Sequence, residues 1–279
     1  MQHNTQVIEE IKKLRVGGFT LTEIINKTGL RKTTIFHHIE KIPKSNDLKE
    51  KIRLARLKAQ NISALERRGK SVKNYSFLKP EKWNSGIVNL IAHFLFDGRI
   101  TRVSCIYYNR NKTLIDMIIQ NMTILLGVTD YKIYKTYNGV NRIAYHHVEI
   151  ADFVRKKADE LLTYIPSAPI EHKISFLKAF FDDEGSITFK NNKRYVRGYQ
   201  HSLKILYLVQ KLLSGLKIAS KIDEKYFELS IYKKDNLLKF QKLINFTPGI
   251  YVNGKRSNSV WKKNLEKRKI LEMAINSYS

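Results

Sequence analysis

Phe176-Leu-Lys-Ala-Phe-Phe-Asp-Asp-Glu-Gly-Ser-Ile187 is the stretch on which the fold turns. Its apolar first half predicts a buried helix. Its end sets three acids, Asp182, Asp183 and Glu184, in the last turn before Gly185. The C-terminal end of a helix carries partial negative charge, so each carboxylate there is disfavoured by ~0.3–1 kcal/mol. A cation held at that end reverses the sign. An earlier stretch, Leu90-Ile-Ala-His-Phe-Leu-Phe-Asp-Gly98, then Arg99-Ile100, has the same build with a single acid, Asp97.

The charge around these segments is extreme. In 279 residues there are 51 Lys and Arg against 25 Asp and Glu, a formal charge of +26. A field of that sign favours a polyanion, and nucleic acid fits best because the basic residues cluster. An anionic membrane is the rival, but no run approaches 18 apolar residues, and Met1-Gln-His-Asn-Thr-Gln lacks the apolar core of a signal peptide. The single Cys105 excludes an internal disulfide and a cysteine zinc site. The expected setting is cytoplasmic and nucleoid-associated, with no membrane partner.

Upstream, residues 5–42 predict three short helices. Val7, Ile8, Ile11 and Leu14 form one apolar stripe, ended by Gly17-Gly18. Thr20 and Glu23 form a capping box for the next helix, and Gly29 suits a tight turn. The third helix starts near Arg31, buries Ile35, Ile39 and Ile42, and stops at Pro43. Leu-Thr-Glu-Ile, Thr-Gly-Leu and the following Lys-Thr-Thr-Ile-Phe-His-His-Ile resemble the helix-turn-helix family. That resemblance implies a last helix in the DNA major groove, presenting Arg31, Lys32, Thr33, Thr34 and His37. Ile25 departs from the usual Ala, and Arg31 from the usual Ser/Thr cap. A domain is expected over 1–44, then a basic, partly helical linker over 45–83.

From residue 84 the chain repeats itself, with its two acids, Asp97 and Glu184, standing 87 residues apart. Each copy predicts αββαββα, over 84–168 and over 169–279, the second with a basic C-terminal helix running to about Asn276. The strands of the second copy are expected near 186–190, 194–201, 217–222 and 225–232. One face of each sheet is covered by helices and the other is free to bind. Arg99, Arg102, Lys190, Lys193, Arg194 and Arg197 punctuate the strands, interleaved with Tyr107, Tyr108, Tyr195 and Tyr199. A two-stranded ribbon carrying such residues fits the major groove.

Two buried helices, each closed by an acid and a glycine, in tandem, resemble the LAGLIDADG homing endonucleases. The nine-residue motif falls on Leu90–Gly98 and Leu177–Gly185. The resemblance implies an α+β fold: two lobes about a pseudo-twofold axis, forming a saddle, here preceded by the all-α domain. It implies Asp97 and Glu184 as catalytic and metal-binding acids, with Mg²⁺ or another divalent cation between them and the scissile phosphates. It also implies close packing of the two motif helices through small residues at the third and seventh motif positions. Ala92 and Ala179 keep the third; Phe96 and Asp183 break the seventh. A Phe at such a crossing parts the helices or forces repacking, at ~1–3 kcal/mol if not accommodated. The first hairpin is short, with 12 residues from Asp97 to Asn109 against 17 from Glu184 to His201. His93 is expected to be a satisfied core histidine.

The expected function is sequence-specific binding of double-stranded DNA by a monomer acting as a pseudo-dimer, with metal-dependent cleavage as a homing-type endonuclease. A non-cleaving transcriptional regulator on the same scaffold is the alternative, favoured by Phe96, the short hairpin and the added DNA-binding domain. An RNA splicing maturase is the lesser one.

Overall fold

The computed structural model describes residues 5–67, 77–190, 193–252 and 264–278. The chain divides into two compact units, Met1–Tyr75 and Ser76–Ser279.

In the first unit, helices α1 (Thr5–Val16), α2 (Leu21–Thr28) and α3 (Lys32–Ile39) enclose Ile11, Ile24, Ile35 and Ile39. The capping box forms as expected: the Thr20 hydroxyl accepts from Glu23 N at 3.3 Å, and the Glu23 carboxylate accepts from Thr20 N at 2.8 Å. Gly29 closes α2 at φ 66°, which a residue with a Cβ adopts only under strain. Arg31 stands at the N-cap of α3 without a side-chain cap bond. Within the stretch expected as a partly helical linker, α4 (Asn46–Arg67) is one continuous helix belonging to this unit, and residues 68–76 lie outside the described ones. Leu48 is buried, and Lys51 Nζ lies 2.8 Å from Glu23 Oε1.

The second unit contains the repeat. Its first copy is α5 (Ser85–Phe96), β1 (Gly98–Ile100), β2 (Cys105–Asn109), α6 (Lys112–Leu126), β3 (Lys132–Lys135), β4 (Asn141–Tyr145) and α7 (Val148–Tyr164). Its second is α8 (Ile170–Glu184), β5 (Gly185–Lys190), β6 (Lys193–Tyr199), α9 (Leu203–Gly215), β7 (Lys221–Asp223), β8 (Glu228–Ile231) and α10 (Lys234–Leu243). A last helix, α11 (Lys267–Asn276), packs on β5, β6 and α10. Among the described residues the basic C-terminal helix starts at Lys267 and ends at Asn276, and residues 253–263 lie outside the described ones. β7 starts later than expected because Lys217, at φ 59°, belongs to the turn after α9.

Both sheets are antiparallel and share one order, β1-β2-β4-β3 and β5-β6-β8-β7. Register makes the copies comparable residue by residue. Gly98 pairs with Tyr107 and Gly185 with Gly198, so Tyr107 and Gly198 occupy equivalent places. The glycines that follow the acids are required by crowding. A Cβ on Gly98 would lie 2.1 Å from Phe94 O, and one on Gly185 would lie 2.1 Å from Phe181 O.

α5 and α8 form the most extensive helix–helix contact among the described elements, with Ala92 and Ala179 both fully buried. Phe96 does not part them. Its ring packs edge-on against Phe176 and Phe180, centroids 5.3 and 5.2 Å away. Phe180 reaches that position because Gly198 has no side chain, since a Cβ there would lie 2.4 Å from Phe180 Cε1.

Candidate active site

The three acids closing α8 have three separate environments. Asp182 is buried and turns toward the second lobe's own loop, accepting from Thr247 N at 2.7 Å and from its hydroxyl at 2.6 Å. Asp183 turns the other way, into the first lobe. Its fully buried carboxylate lies 2.8 Å from His93 Nδ1 and accepts from the Tyr107 hydroxyl at 2.5 Å. Glu184 remains for the centre and accepts from Gln200 Nε2 at 3.1 Å.

Asp97 is the C-cap of α5 and accepts from Asn109 Nδ2 at 2.9 Å. Asn109 ends β2, and Gln200 directly follows β6, so the second strand of each hairpin returns an amide to the acid that began it. The Asn109 amide also lies 3.2 Å from the Tyr107 hydroxyl and 3.5 Å from Asp183 Oδ1. A chain of polar contacts therefore joins Asp183 of one motif helix to Asp97 of the other.

His93 is buried in the core as expected but only half satisfied: Nδ1 meets Asp183, while Nε2 has no hydrogen-bond partner among the described residues. Burial works against its imidazolium, but Asp183, with Asp182 and Asp97, outweighs this and the net shift of its pKa is upward. Burial also raises Asp183, against the pull of His93. The carboxyl of Asp97 is pushed up to about 7, first by burial and then by Asp183. Glu184 is pushed up to about 8 by burial, then by Asp97 and Asp183. Both acids are therefore held where negative charge is costly and a nearby cation is favourable.

One cation is built in. Lys267, the first residue of α11, is buried, and its Nζ donates to Gly185 O at 2.7 Å and to Asp182 O at 3.1 Å. It caps the negative end of α8 from outside the repeat and lies 5.2 Å from the Phe246 ring centroid. Burial lowers its pKa, opposed by Asp182, Asp183, Asp97 and Glu184.

Sequence reading missed Lys267, Asn109 and Gln200 as site residues. Lys267 was one charge in a basic run, and nothing local marks it as buried. The two amides had a positional signal, since each stands where the strand leaving an acid comes back beside it.

The residues expected to contact DNA separate by sheet register. Arg99, Lys190 and Lys193 are exposed on the strands, and Arg102 is exposed in the β1–β2 turn. Arg197 is half-buried on the free face, bonded to Ser186 Oγ at 3.3 Å and Glu228 Oε1 at 2.9 Å. Arg194 does not join them. It pairs with Phe189 and shares its helix-side face, where the guanidinium donates to Ser277 Oγ at 2.6 Å and Ser277 O at 3.0 Å. Its position docks α11 rather than offering a charge to a ligand. Tyr107, expected among the contact tyrosines, is likewise buried on the helix side. Arg31, at the N-cap of α3, is exposed, as are Lys32, Thr33 and His37 on the helix, and Thr34 is half-buried.

The donors at the centre suit a hard divalent ion. Among the described residues no three His, Cys, Asp or Glu are grouped to hold a metal unaided. A metal here would use the oxygens of Asp97 and Glu184 and take its other ligands from water and phosphate, as a hard divalent cation does. The raised pKa of both acids is the cost that such an ion would relieve.

Residues 171–245 match the family model described as a LAGLIDADG-like domain. The match runs through the second lobe, from α8 to just past α10. No curated protein matches the chain. Among solved structures, I-DmoI in complex with DNA and Mn is 17% identical over 57% of this chain and 96% of that one, TM-score 0.46. The N-terminal LAGLIDADG domain of DUF199/WhiA is 17% identical over 58% of this chain and 82% of that one, TM-score 0.46. Full-length DUF199/WhiA from Thermatoga maritima is 13% identical over 72% of this chain and 63% of that one, TM-score 0.49. The matched segment begins within α8, the helix that carries Glu184.

Proposed function

We propose that this chain binds double-stranded DNA and hydrolyses its phosphodiester bonds with a divalent metal, Asp97 and Glu184 serving as its two acids. One observation carries the reading. Two packed motif helices each end in a carboxylate whose pKa is raised, to about 7 for Asp97 and about 8 for Glu184. Carboxylates kept there without a cation are a burden to the fold. When bound, Mg²⁺ polarises a phosphoryl oxygen and lowers the pKa of an attacking water. The chain itself orients the acids: Asn109 holds Asp97, Gln200 holds Glu184, and Lys267 fixes the end of α8. The free sheet faces supply Arg99, Lys190, Lys193 and Arg197 to the duplex, and α3 supplies Arg31, Lys32, Thr33, Thr34 and His37.

The test is incubation of the protein with duplex DNA flanking its gene, with and without Mg²⁺, alongside Asp97→Asn and Glu184→Gln. Cleavage that needs metal and is lost in both variants is expected. Unchanged cutting in both variants would remove the acids from the reaction.

The second reading is a non-cleaving regulator. Lys267 favours it, because its ammonium already supplies part of the positive charge that the end of α8 requires. Tight metal-independent binding to promoter DNA with no nicking at any metal concentration would select it.

A further inference from the structure

The two lobes present different chemistry at equivalent places on their free faces. In the first sheet, Arg142 of β4 pairs directly with Tyr108 of β2 and Tyr134 of β3, so the three stand in one row on one face. Their neighbours Tyr107 and Ile143 are buried on the other face, which makes this row the one turned away from the helices. The guanidinium carbon lies 5.0 Å from the Tyr134 ring centroid and 5.9 Å from that of Tyr108. Arg142 Nε is buried without a hydrogen-bond partner, and among the described residues no carboxylate pairs with the group.

The equivalent row in the second sheet follows from register. Tyr108 corresponds to Tyr199, Arg142 to Glu228 and Tyr134 to Asp223. The row there has no cation of its own, and Glu228 is taken up by Arg197.

A guanidinium held between two rings keeps its planar fork fixed and loses little entropy on binding. On a central strand, facing outward, such a fork matches the O6 and N7 acceptors of guanine, the commonest specific contact in the major groove. The same fork can also hold a phosphate bidentately, but that contact carries no preference for a base, which is the difference the experiment reads. We propose that Arg142 reads a guanine in the half-site bound by the first lobe, with no equivalent requirement in the other half. This rests on the DNA binding proposed above, and not on cleavage.

The experiment is selection of binding sites from a random duplex library by the full-length chain, without metal, for the wild type and for Arg142→Ala, Arg142→Lys, Tyr134→Ala and Arg197→Ala. The wild type is expected to enrich one guanine that both Arg142 variants lose, with a drop of roughly tenfold or more for that base alone. Tyr134→Ala keeps the charge and weakens the same preference. Arg197→Ala alters the opposite half. If Arg142→Ala selects the wild-type site unchanged, the assignment to Arg142 fails alone. If it weakens all sequences equally and lowers the salt slope by about one, Arg142 is a phosphate contact and the proposal is overturned. If the wild type enriches no duplex sequence, the DNA reading fails and this assignment with it.

Discussion

His93 Nδ1 lies 2.8 Å from Asp183 Oδ2, and the equivalent contact across the pseudo-twofold is Phe180 against Phe96, ring centroids 5.2 Å apart. In each pair the fourth residue of one motif meets the seventh of the other. The third partner is exchanged as well. Tyr107 donates to Asp183 on one side, and its equivalent, Gly198, clears the space that Phe180 fills on the other. One side is polar and the other aromatic, and each departure from a small seventh residue is matched by its neighbours. The crossing is asymmetric although the repeat is not.

Breaking the polar side should be expensive. Asp183→Ala leaves His93 and Tyr107 buried without their acceptor, and truncating one partner of a buried pair costs about 3–5 kcal/mol. Copying the aromatic side, with His93→Phe, Asp183→Phe and Tyr107→Gly together, should be more stable than Asp183→Ala alone. Urea unfolding decides it. A triple variant weaker than the single one would show that the two sides are not interchangeable.

The aromatic side makes its own demand. Gly198→Ala sets a Cβ 2.4 Å from Phe180 Cε1, an overpacking expected to cost about 1–3 kcal/mol. Adding Phe180→Leu should recover part of the loss. Equal stability of Gly198→Ala and wild type would contradict the close approach.

Lys267→Met removes a buried donor to the carbonyls of Asp182 and Gly185, a loss expected to cost about 1–3 kcal/mol. The fold should weaken. Mn²⁺ titrations should also show half-saturation moving to higher pH, because Lys267 lowers both Asp97 and Glu184. A variant as stable as wild type, with the same pH dependence, would reduce Lys267 to a packing residue.

The metal-free protein should lose stability as pH rises. Asp97 at about 7 and Glu184 at about 8 bind protons more tightly when folded than when unfolded. Their charge therefore begins to oppose folding above the ordinary carboxylate pKa of ~4, and does so fully above about 8. Melting temperatures compared at acidic and alkaline pH, with and without Mg²⁺, should show the ion stabilising most at the alkaline end. A metal effect independent of pH would place the ion elsewhere.

The sequence by itself determined the repeat, the two motif helices, the acids that end them, the glycines after the acids and the capping box of the first unit's second helix. These are local or periodic properties: apolar spacing, capping boxes and tight turns act within a few residues. It left open what the three acids of α8 do, since Asp182, Asp183 and Glu184 are adjacent in the chain. Only the packing sends one to Thr247, one to His93 and one to the centre. Tertiary structure likewise decided that Phe96 is accommodated, that Arg194 docks α11, and that Lys267, more than 80 residues beyond α8, is the cation at that helix's end. The reason is common to all of them. Each is a pairing across long chain separations, and the free energy that selects it comes from burial, which sequence neighbours do not set.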